Sequence, residues 1–543
     1  MIVAAAVGTV FEWYDFFLYG ALATTISRQF FSAVNETAGF ILALLAFAAG
    51  FAVRPLGAII FGRLGDMAGR KFTFLVTISL MGLATALVGV VPGYATIGVA
   101  APVILVSLRV LQGLALGGEY GGAAVYVAEH VPAEHRGRYT GWINATATVG
   151  LLLSLVVVLV CRAVFGERFE TWGWRVPFVL SLVLLGISVY VRLQLQESPV
   201  FRALREGGEC SRAPLTEALL RWKNLRVILA SIFGVCAGGT VVWYTAQIYA
   251  LFFLTQVLKL PAQNAGLLMV GVLVLAAPLF ALSGALSDRV GRKPVIVAGC
   301  LLGAVALVPV FHGLTHYANP ALEAAVERSP VTVVADGTTC SLQFDPLGKS
   351  RFDSSCDIAK AALTKRGIPY INQPAAPGEL ARVRVGSAEL AAFDGAAATG
   401  GTLSARRAQF EAELDAALKA AGYPAKLDLT RVRYGPLFAL LLMLLVASGL
   451  TYGPGAAWLT ELFPARIRYT SLSVPYHLAV GWIGGFLPAI AFMLVAASGD
   501  MYRGLWYPVA FCLLSAAVGT LFLPETRGRV DAVALDTAAD GIV

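Results

Sequence analysis

"GRLGDMAGRK" occupies residues 62–71 and "GALSDRVGRK" residues 284–293; both satisfy G-x-L-x-D-x-x-G-R-K, and they lie 222 positions apart. A second pair follows each copy. "AEHVPAEHRGRYTG" (128–141) and "TELFPARIRYTS" (460–471) share a Glu, a Pro three residues on and then basic residues, with Glu129 and Glu461 separated by 332. The offset therefore grows by 110 residues between the two pairs, as it would in a duplicated chain whose second copy carries one insertion of about that length. Two homologous halves are expected. In the repeated loop, Gly62, Gly69, Gly284 and Gly291 let helix ends approach closely, and Asp66 and Asp288 accept hydrogen bonds from a nearby helix N-terminus. Arg70, Lys71, Arg292 and Lys293 hold the loops at an anionic inner membrane surface. With Glu129 and Arg138 these residues read as gating loops, not as a binding site.

The setting of the repeats is apolar. Of 543 residues, 58% are hydrophobic and only 14% charged, a balance that soluble domains rarely have. A membrane-crossing helix needs roughly 20 mostly apolar residues. Twelve such segments stand out, at about 2–26, 38–61, 72–92, 99–127, 139–162, 174–194, 225–256, 263–286, 294–314, 434–457, 470–497 and 504–523. The fold class is thus an all-α membrane protein of twelve helices in two pseudo-symmetric six-helix halves. Basic residues crowd the loops that follow even-numbered helices, and the opposite loops are poorer, so the positive-inside rule puts both termini in the cytoplasm. The net charge of +8 is explained by this topology and calls for no nucleic-acid partner. No cleavable signal peptide is expected.

Residues 315–433 break the pattern, with 14 Lys and Arg and 13 Asp and Glu in about a fifth of the chain. They read as a small α/β module between helices 9 and 10, on the outer side by parity. "SPVTVVADG" and "ELARVRVGS" look like strands, whereas "DIAKAALTKRG" and "SARRAQFEAELDAALKAAG" look helical and end at Gly. Cys340 and Cys356 lie within it, in a compartment that permits disulfides, and are expected to be bridged. The expected organisation is an N-terminal bundle (1–195), a cytoplasmic central loop (196–224), helices 7–9 (225–314), a periplasmic insert (315–433), helices 10–12 (434–523) and a short cytoplasmic tail (524–543).

The doubled loop, "RVLQG" in helix 4, "QESPVF" after helix 6 and "LPETRG" after helix 12 resemble the major facilitator superfamily. Within it, "FEWYDFFLYG", "RPLGAIIFGRLGD" and "LQGLALGGEYGGA" are similar to the metabolite:proton symporter family, whose members import organic acids, shikimate-like compounds or zwitterionic osmolytes. The resemblance covers about four fifths of the chain and implies a central cavity, alternating access, proton coupling and a bacterial inner-membrane location.

Charges inside membrane helices cost roughly 2.5–3.5 kcal/mol each on insertion scales, so each needs a reason. Glu12 and Asp15 share a face of helix 1, with Glu12 about 16 Å from its start. An apolar surround favours the neutral acid, which suits a proton carrier. Arg54 lies roughly 14 Å inside helix 2, placed to pair with Glu12 or to hold a carboxylate in bidentate fashion. Arg109 sits in the stretch that resembles the superfamily's second motif, where the resemblance implies proton transfer, and Glu119 and Tyr120 follow among glycines. Expected proton-coupling residues are Glu12, Asp15, Arg109 and Glu119. Expected cavity residues are Arg54, Tyr120, Asn144, Trp243, Tyr244, Gln247, Tyr476 and His477. The expected activity is proton-coupled import of a small organic metabolite, a carboxylate first and a zwitterion second, by a monomer in the lipid bilayer. Uncoupled facilitation, export, and a transporter-derived receptor are the alternatives. No HExxH, GxSxG, Walker A or metal-spaced His/Cys set is present, so no enzyme, metal or cofactor is expected.

Overall fold

The computed structural model describes residues 2–33, 36–194, 198–207, 211, 213–341, 353–395 and 400–527. Membrane helix 1 is Ile2–Ala21, and helix 2 is Glu36–Ala52 carried on by Arg54–Ala68. Helices 3 to 6 are Lys71–Val90, Ala100–His130, Ala133–Phe165 and Gly173–Leu193. Helices 7 to 12 are Trp222–Val257, Ala262–Val290, Arg292–Ala318, Tyr434–Leu462, Ala465–Ser498 and Arg503–Phe522. Helices 2 to 12 are each long and apolar enough to cross a bilayer, and helix 1 supplies 20 residues with two carboxylates inside its apolar run.

Packing repeats with the sequence. Helices 2 and 3 pack on helix 4 as helices 8 and 9 pack on helix 10, and the 3–6 contact has its counterpart in 9–12. Between the halves, helix 5 lies along helix 8 and helix 2 along helix 11. The duplicated loop explains why the eighth motif position is glycine. Gly69 (φ 108°) and Gly291 (φ 110°) take the same left-handed conformation, which a side chain would strain. Where helices 5 and 8 cross, Gly137 and Gly284 stand against each other's carbonyls, so a Cβ on either would collide.

Helix 7 widens to π-helical turns at Ile232–Ala237, Thr245–Tyr249 and Phe253–Val257, and helix 11 at Ala479–Gly484. Such turns leave the regular i−4 ladder and re-aim the side chains beside them. Trp243, Tyr244, Gln247, Tyr476 and His477 lie in or next to them.

The segment between helices 9 and 10 is an α/β module. Its sheet has the order β2-β1-β3-β4, from β1 (Val331–Ala335), β2 (Tyr370–Pro374), β3 (Arg382–Val385) and β4 (Ala388–Ala391). β1 and β2 run parallel through the helix Ser355–Arg366, and β1–β3 and β3–β4 are antiparallel. The Cys340–Cys356 disulfide ties the segment after β1 to that helix. The module is fastened to the end of helix 11, whose last carbonyls have no partner within the helix. Gly499 O accepts from Tyr370 N (3.0 Å), Ala496 O from the Tyr370 hydroxyl, and Ser498 O from Asn372 Nδ2 (2.7 Å). Lys259, beyond helix 7, adds a bond to Lys365 O (2.7 Å).

Candidate functional site

At the loop face, the two repeated aspartates cap helices of the opposite half. Asp66 Oδ2 accepts from Thr470 N (3.1 Å) and Thr470 Oγ1 (2.7 Å) at the start of helix 11. Asp288 accepts from Gly137 N and Arg138 N (2.8 Å each) at the start of helix 5. Ion pairs cross in the same mirrored way: Arg136 reaches Glu461 (3.5 Å) and Arg468 reaches Glu129 (3.4 Å). Arg292 also holds Asp288 (2.5 Å) and Glu461 (3.1 Å). The motif lysines serve helix ends within their own halves, a role beyond the expected anchoring to lipid: Lys71 donates to Leu193 O (2.8 Å), and Lys293 to Thr520 O (2.6 Å) and Leu523 O (2.9 Å). The Arg138 contribution comes through its backbone. The Arg70 side chain lies outside the described residues.

The opposite end is closed by rings. Phe40 of helix 2 meets Phe252 (5.7 Å between centroids) and Phe492 (6.1 Å) of the other half edge-on. Among the described residues, Tyr120, Cys236, Tyr452 and Tyr476 bound a cavity of about 20 Å³, room for about one water.

Arg54 stands at the centre, fully buried. Its guanidinium lies over Trp13, Phe16 and Phe51 (4.8–5.0 Å) and faces the hydroxyls of Tyr244, Tyr452 and Tyr476. Among the described residues none of its nitrogens makes a hydrogen bond of good geometry, and the same holds for both His477 nitrogens and Gln247 Oε1. Buried polar groups are normally paired, so this set marks a surface made for something polar. Tyr120 stacks on Tyr476 (3.6 Å), which shares a hydroxyl contact with Tyr452, and His477 meets Tyr476 edge-on at 5.0 Å. Asn144 is engaged elsewhere: it accepts from the Tyr120 hydroxyl (2.6 Å) and donates to Tyr452 O (2.5 Å), tying helix 5 to helix 10. Trp243 Nε1 and Gln247 Nε2 converge on Thr148 Oγ1 at 3.2 and 3.1 Å.

Of the two roles read for Arg54, pairing with Glu12 or holding a carboxylate, the first is not the one formed among the described residues. Glu12 belongs to a second cluster inside the first half, whose cation is Arg192 of helix 6. Arg192 pairs with Glu119 and lies 3.5 Å from Glu12 Oε1, all three side chains being at most 2% exposed. Thr9 and Thr77 donate to Glu119 at 3.4 and 3.3 Å, and Phe74 covers the guanidinium at 4.6 Å. Asp15 is not in this cluster. It accepts from Ser181 (2.5 Å) and neighbours Thr85, which in turn accepts from Gln112 (2.7 Å), the partner of Arg109 Nη1 (2.5 Å). Arg109 thus reaches Asp15 through two neutral side chains, and its guanidinium is packed on Phe16 and Tyr19. Sequence reasoning missed Arg192, Thr148 and Tyr452. A lone Arg four residues before the expected central loop passes for a positive-inside residue, although the mostly apolar run "ISVYV" before it was a signal of burial.

Residues 1–223 match the family described as "Sugar (and other) transporter". The shikimate transporter of Escherichia coli is 40% identical over 316 residues, 56% of this chain and 70% of that protein. The alpha-ketoglutarate permease of Escherichia coli is 33% identical over 59% of this chain and 72% of its own. The proline/betaine transporter of Salmonella typhimurium is 33% identical over 57% of this chain, which spans 63% of that relative. Among solved structures, the proton:xylose symporter XylE bound to 6-bromo-6-deoxy-D-glucose superposes with a TM-score of 0.61 at 17% identity, covering 98% of both chains. XylE from E. coli in a partially occluded inward-open conformation superposes at 0.59, over 97% of this chain and 98% of that one. Two mirrored six-helix halves, the doubled loop and these relatives agree: the chain belongs to the major facilitator superfamily, as a multi-pass membrane transporter of the metabolite-transporting kind.

Proposed function

We propose that the protein is a proton-coupled importer of a small organic carboxylate that works by alternating access in a bacterial inner membrane. Both chain ends would then be cytoplasmic and the α/β insert periplasmic, as the basic loops support. The observation that carries the coupling is the Glu12–Arg192–Glu119 cluster: two buried carboxylates share one guanidinium. One cation balances one carboxylate, so the cluster is neutral with a proton aboard and carries a surplus charge without it, at a place where charge is costly. Loading and release of that proton would bias which face is open. Asp15, Arg109 and Gln112 form the neighbouring polar string that would feel the change.

Arg54 is the proposed substrate anchor, with Tyr244, Gln247, Tyr476 and His477 around it. An anion is favoured over a quaternary ammonium because Arg54 itself covers the faces of Trp13, Phe16 and Phe51, the rings an ammonium would need. Tyr120, Asn144 and Trp243 act as the supports of this surface. The mirrored aspartate caps and ion pairs are the inner gate, and the Phe40–Phe492 contact the outer one.

Purified protein in proteoliposomes tests this with labelled shikimate and 2-oxoglutarate under an imposed pH gradient. Accumulation should depend on the gradient. Glu12→Gln should abolish accumulation while leaving exchange across a loaded vesicle. Normal accumulation by that variant would remove Glu12 from the proton path.

A further inference from the structure

Helices 3 and 6 pack against each other in the first half, and at their ends remote from the repeated loops a groove of about 640 Å³ opens between them. Gly89 lies where the two helices converge: a Cβ there would meet Phe178, the Arg175 carbonyl and Val179 at 2.9–3.1 Å. Val176, Val179 and Val183 follow down helix 6 at i, i+3 and i+7 and make an apolar trough about 10 Å long. Its rim and walls are open: Val90, Val179 and Val183 are 41–62% exposed, in the belt that a bilayer covers. Trp172, just before helix 6 and edge-on to Phe165 at 5.7 Å, stands at the mouth.

Arg175 is the one charged residue in this lining. Its Nη1 donates to Gly89 O (3.0 Å) and Val91 O (2.7 Å), carbonyls left over at the end of helix 3, and its guanidinium packs on Trp174 at 4.6 Å. Both bonds use the same nitrogen. Among the described residues Nε and Nη2 make no hydrogen bond, and Arg175 is in no ion pair. Glu170, five residues earlier, is taken by Arg162 (2.8 Å) and Thr25 (3.1 Å), and Glu167 and Arg168 of the same connection are exposed and opposite in sign.

We propose that this groove is a binding site for a phospholipid whose head carries a net negative charge, with the phosphodiester on the remaining edge of the Arg175 fork and the start of an acyl chain along Val176, Val179 and Val183. A guanidinium edge matches two phosphate oxygens at once. A soluble anion would use Arg175 but none of the trough, and a chain without a charged head would use the trough but not Arg175. An amphiphile uses both. The net charge follows from the lining: with no carboxylate in it, the ammonium of a zwitterionic head finds no partner there. Arg175 also stands at the right depth, since the start of a membrane helix lies at the level of the headgroups. The groove is apart from Arg54 and from the Glu12–Arg192–Glu119 cluster, so the site does not depend on what the protein carries or on its coupling.

Trp172 is a reporter at the mouth of the groove, its fluorescence being that of the full-length protein less that of Trp172→Phe. The protein is reconstituted in phosphatidylcholine vesicles containing a rising fraction of brominated phosphatidylglycerol or of brominated phosphatidylcholine. Trp172 should be half-quenched at about one fifth of the fraction with the anionic lipid, the preference that one basic residue gives at a membrane surface. Arg175→Gln should bring the two fractions together. Val183→Phe keeps Arg175 and fills the trough, so it decides the matter if the first variant folds poorly: brominated phosphatidylglycerol should then be needed at a severalfold higher fraction. Millimolar inorganic phosphate should not relieve the quenching. Equal fractions for the two lipids in the parent protein would mean ordinary annular lipid and overturn the proposal. A preference that survives Arg175→Gln, or quenching unchanged by Val183→Phe, would overturn it as well, because the lipid would then be held elsewhere. Relief by phosphate would leave an anion site without a chain.

Discussion

Asp288→Asn should loosen the inner gate by a calculable amount. The carboxylate accepts from two amides at the start of helix 5, at 2.8 Å each, and from Arg292 at 2.5 Å. An asparagine keeps one acceptor oxygen, loses the charge and turns an NH₂ toward donors. A hydrogen bond to a charged group contributes about 1.5–3 kcal/mol net, and the helix dipole adds about 0.3–1 kcal/mol. Taking about 2 kcal/mol for the exchange, the ratio of open to shut conformers at this face rises about 30-fold. Asp66→Asn removes the mirror contact at Thr470, and the two sites share no partner, so the double variant should reach about 10³-fold. Spin labels at Met67 and Arg289, equivalent exposed positions on the ends of helices 2 and 8, report the change by pulsed dipolar spectroscopy. The parent should give one short distance, Asp288→Asn a minor longer one, and the double variant mainly the longer. A double variant with the parent's distribution would refute the latch, since neither aspartate would then be holding the face shut.

Arg192→Gln should strip the cation from two buried carboxylates and cost about 3–5 kcal/mol, read as a lower Tm in detergent; adding Glu119→Gln should recover most of it, and no recovery would mean that Arg192 stabilises by packing alone. Arg54→Lys should weaken carboxylate binding about tenfold or more in equilibrium binding with labelled shikimate, because an ammonium lacks the planar fork; full affinity would reduce Arg54 to a point charge. In the insert, the amides of Gly378 (3.0 Å) and Thr338 (2.9 Å) hold the Asp336 carboxyl below its ordinary 3.8. A depressed acid contributes stability above its unfolded value and loses it as pH falls through the folded one, so the protection of the Thr338 and Gly378 amides, relative to their intrinsic exchange at each pH, should fall below about pH 4. Asp336→Asn should remove that protection at every pH, and an unchanged profile would show that the carboxylate does not order this turn.

The duplication was legible because its glycines and aspartates do something that other residues do not: Gly69 and Gly291 need the left-handed conformation, and Asp66 and Asp288 need to be anions at helix ends. The insert was legible from charge density. The acid–base pairing was not. Depth along a helix follows from counting residues, which puts Glu12 about 16 Å and Arg54 roughly 14 Å along their helices. Rotation about the helix axis comes from packing, and it turns Arg54 to the interface between the halves and Glu12 to helix 6. The π-helical turns of helices 7 and 11 add further rotation that no hydrophobic pattern encodes. β2 escaped notice because four of its five residues are exposed and carry no alternation, and β4 because four residues that only half-bury on one face are too short a signal.

The fastening of the insert to helix 11 has a consequence for biosynthesis. Tyr370 precedes Ala496 by 126 residues, which a ribosome needs on the order of 6–25 s to add. Throughout that interval the sheet exists without the helix end that receives it, and the margin left open by that absence is β2, one of the two terminal strands in the order β2-β1-β3-β4. Open strand margins recruit other chains. The exposed polar residues of β2, and Pro374 at its end, protect it only in part, because Ile371 is 59% exposed. Newly made chains stalled before helix 11 should therefore be the ones that aggregate through the insert, and the arrival of Gly499 O at Tyr370 N is the step that ends the hazard.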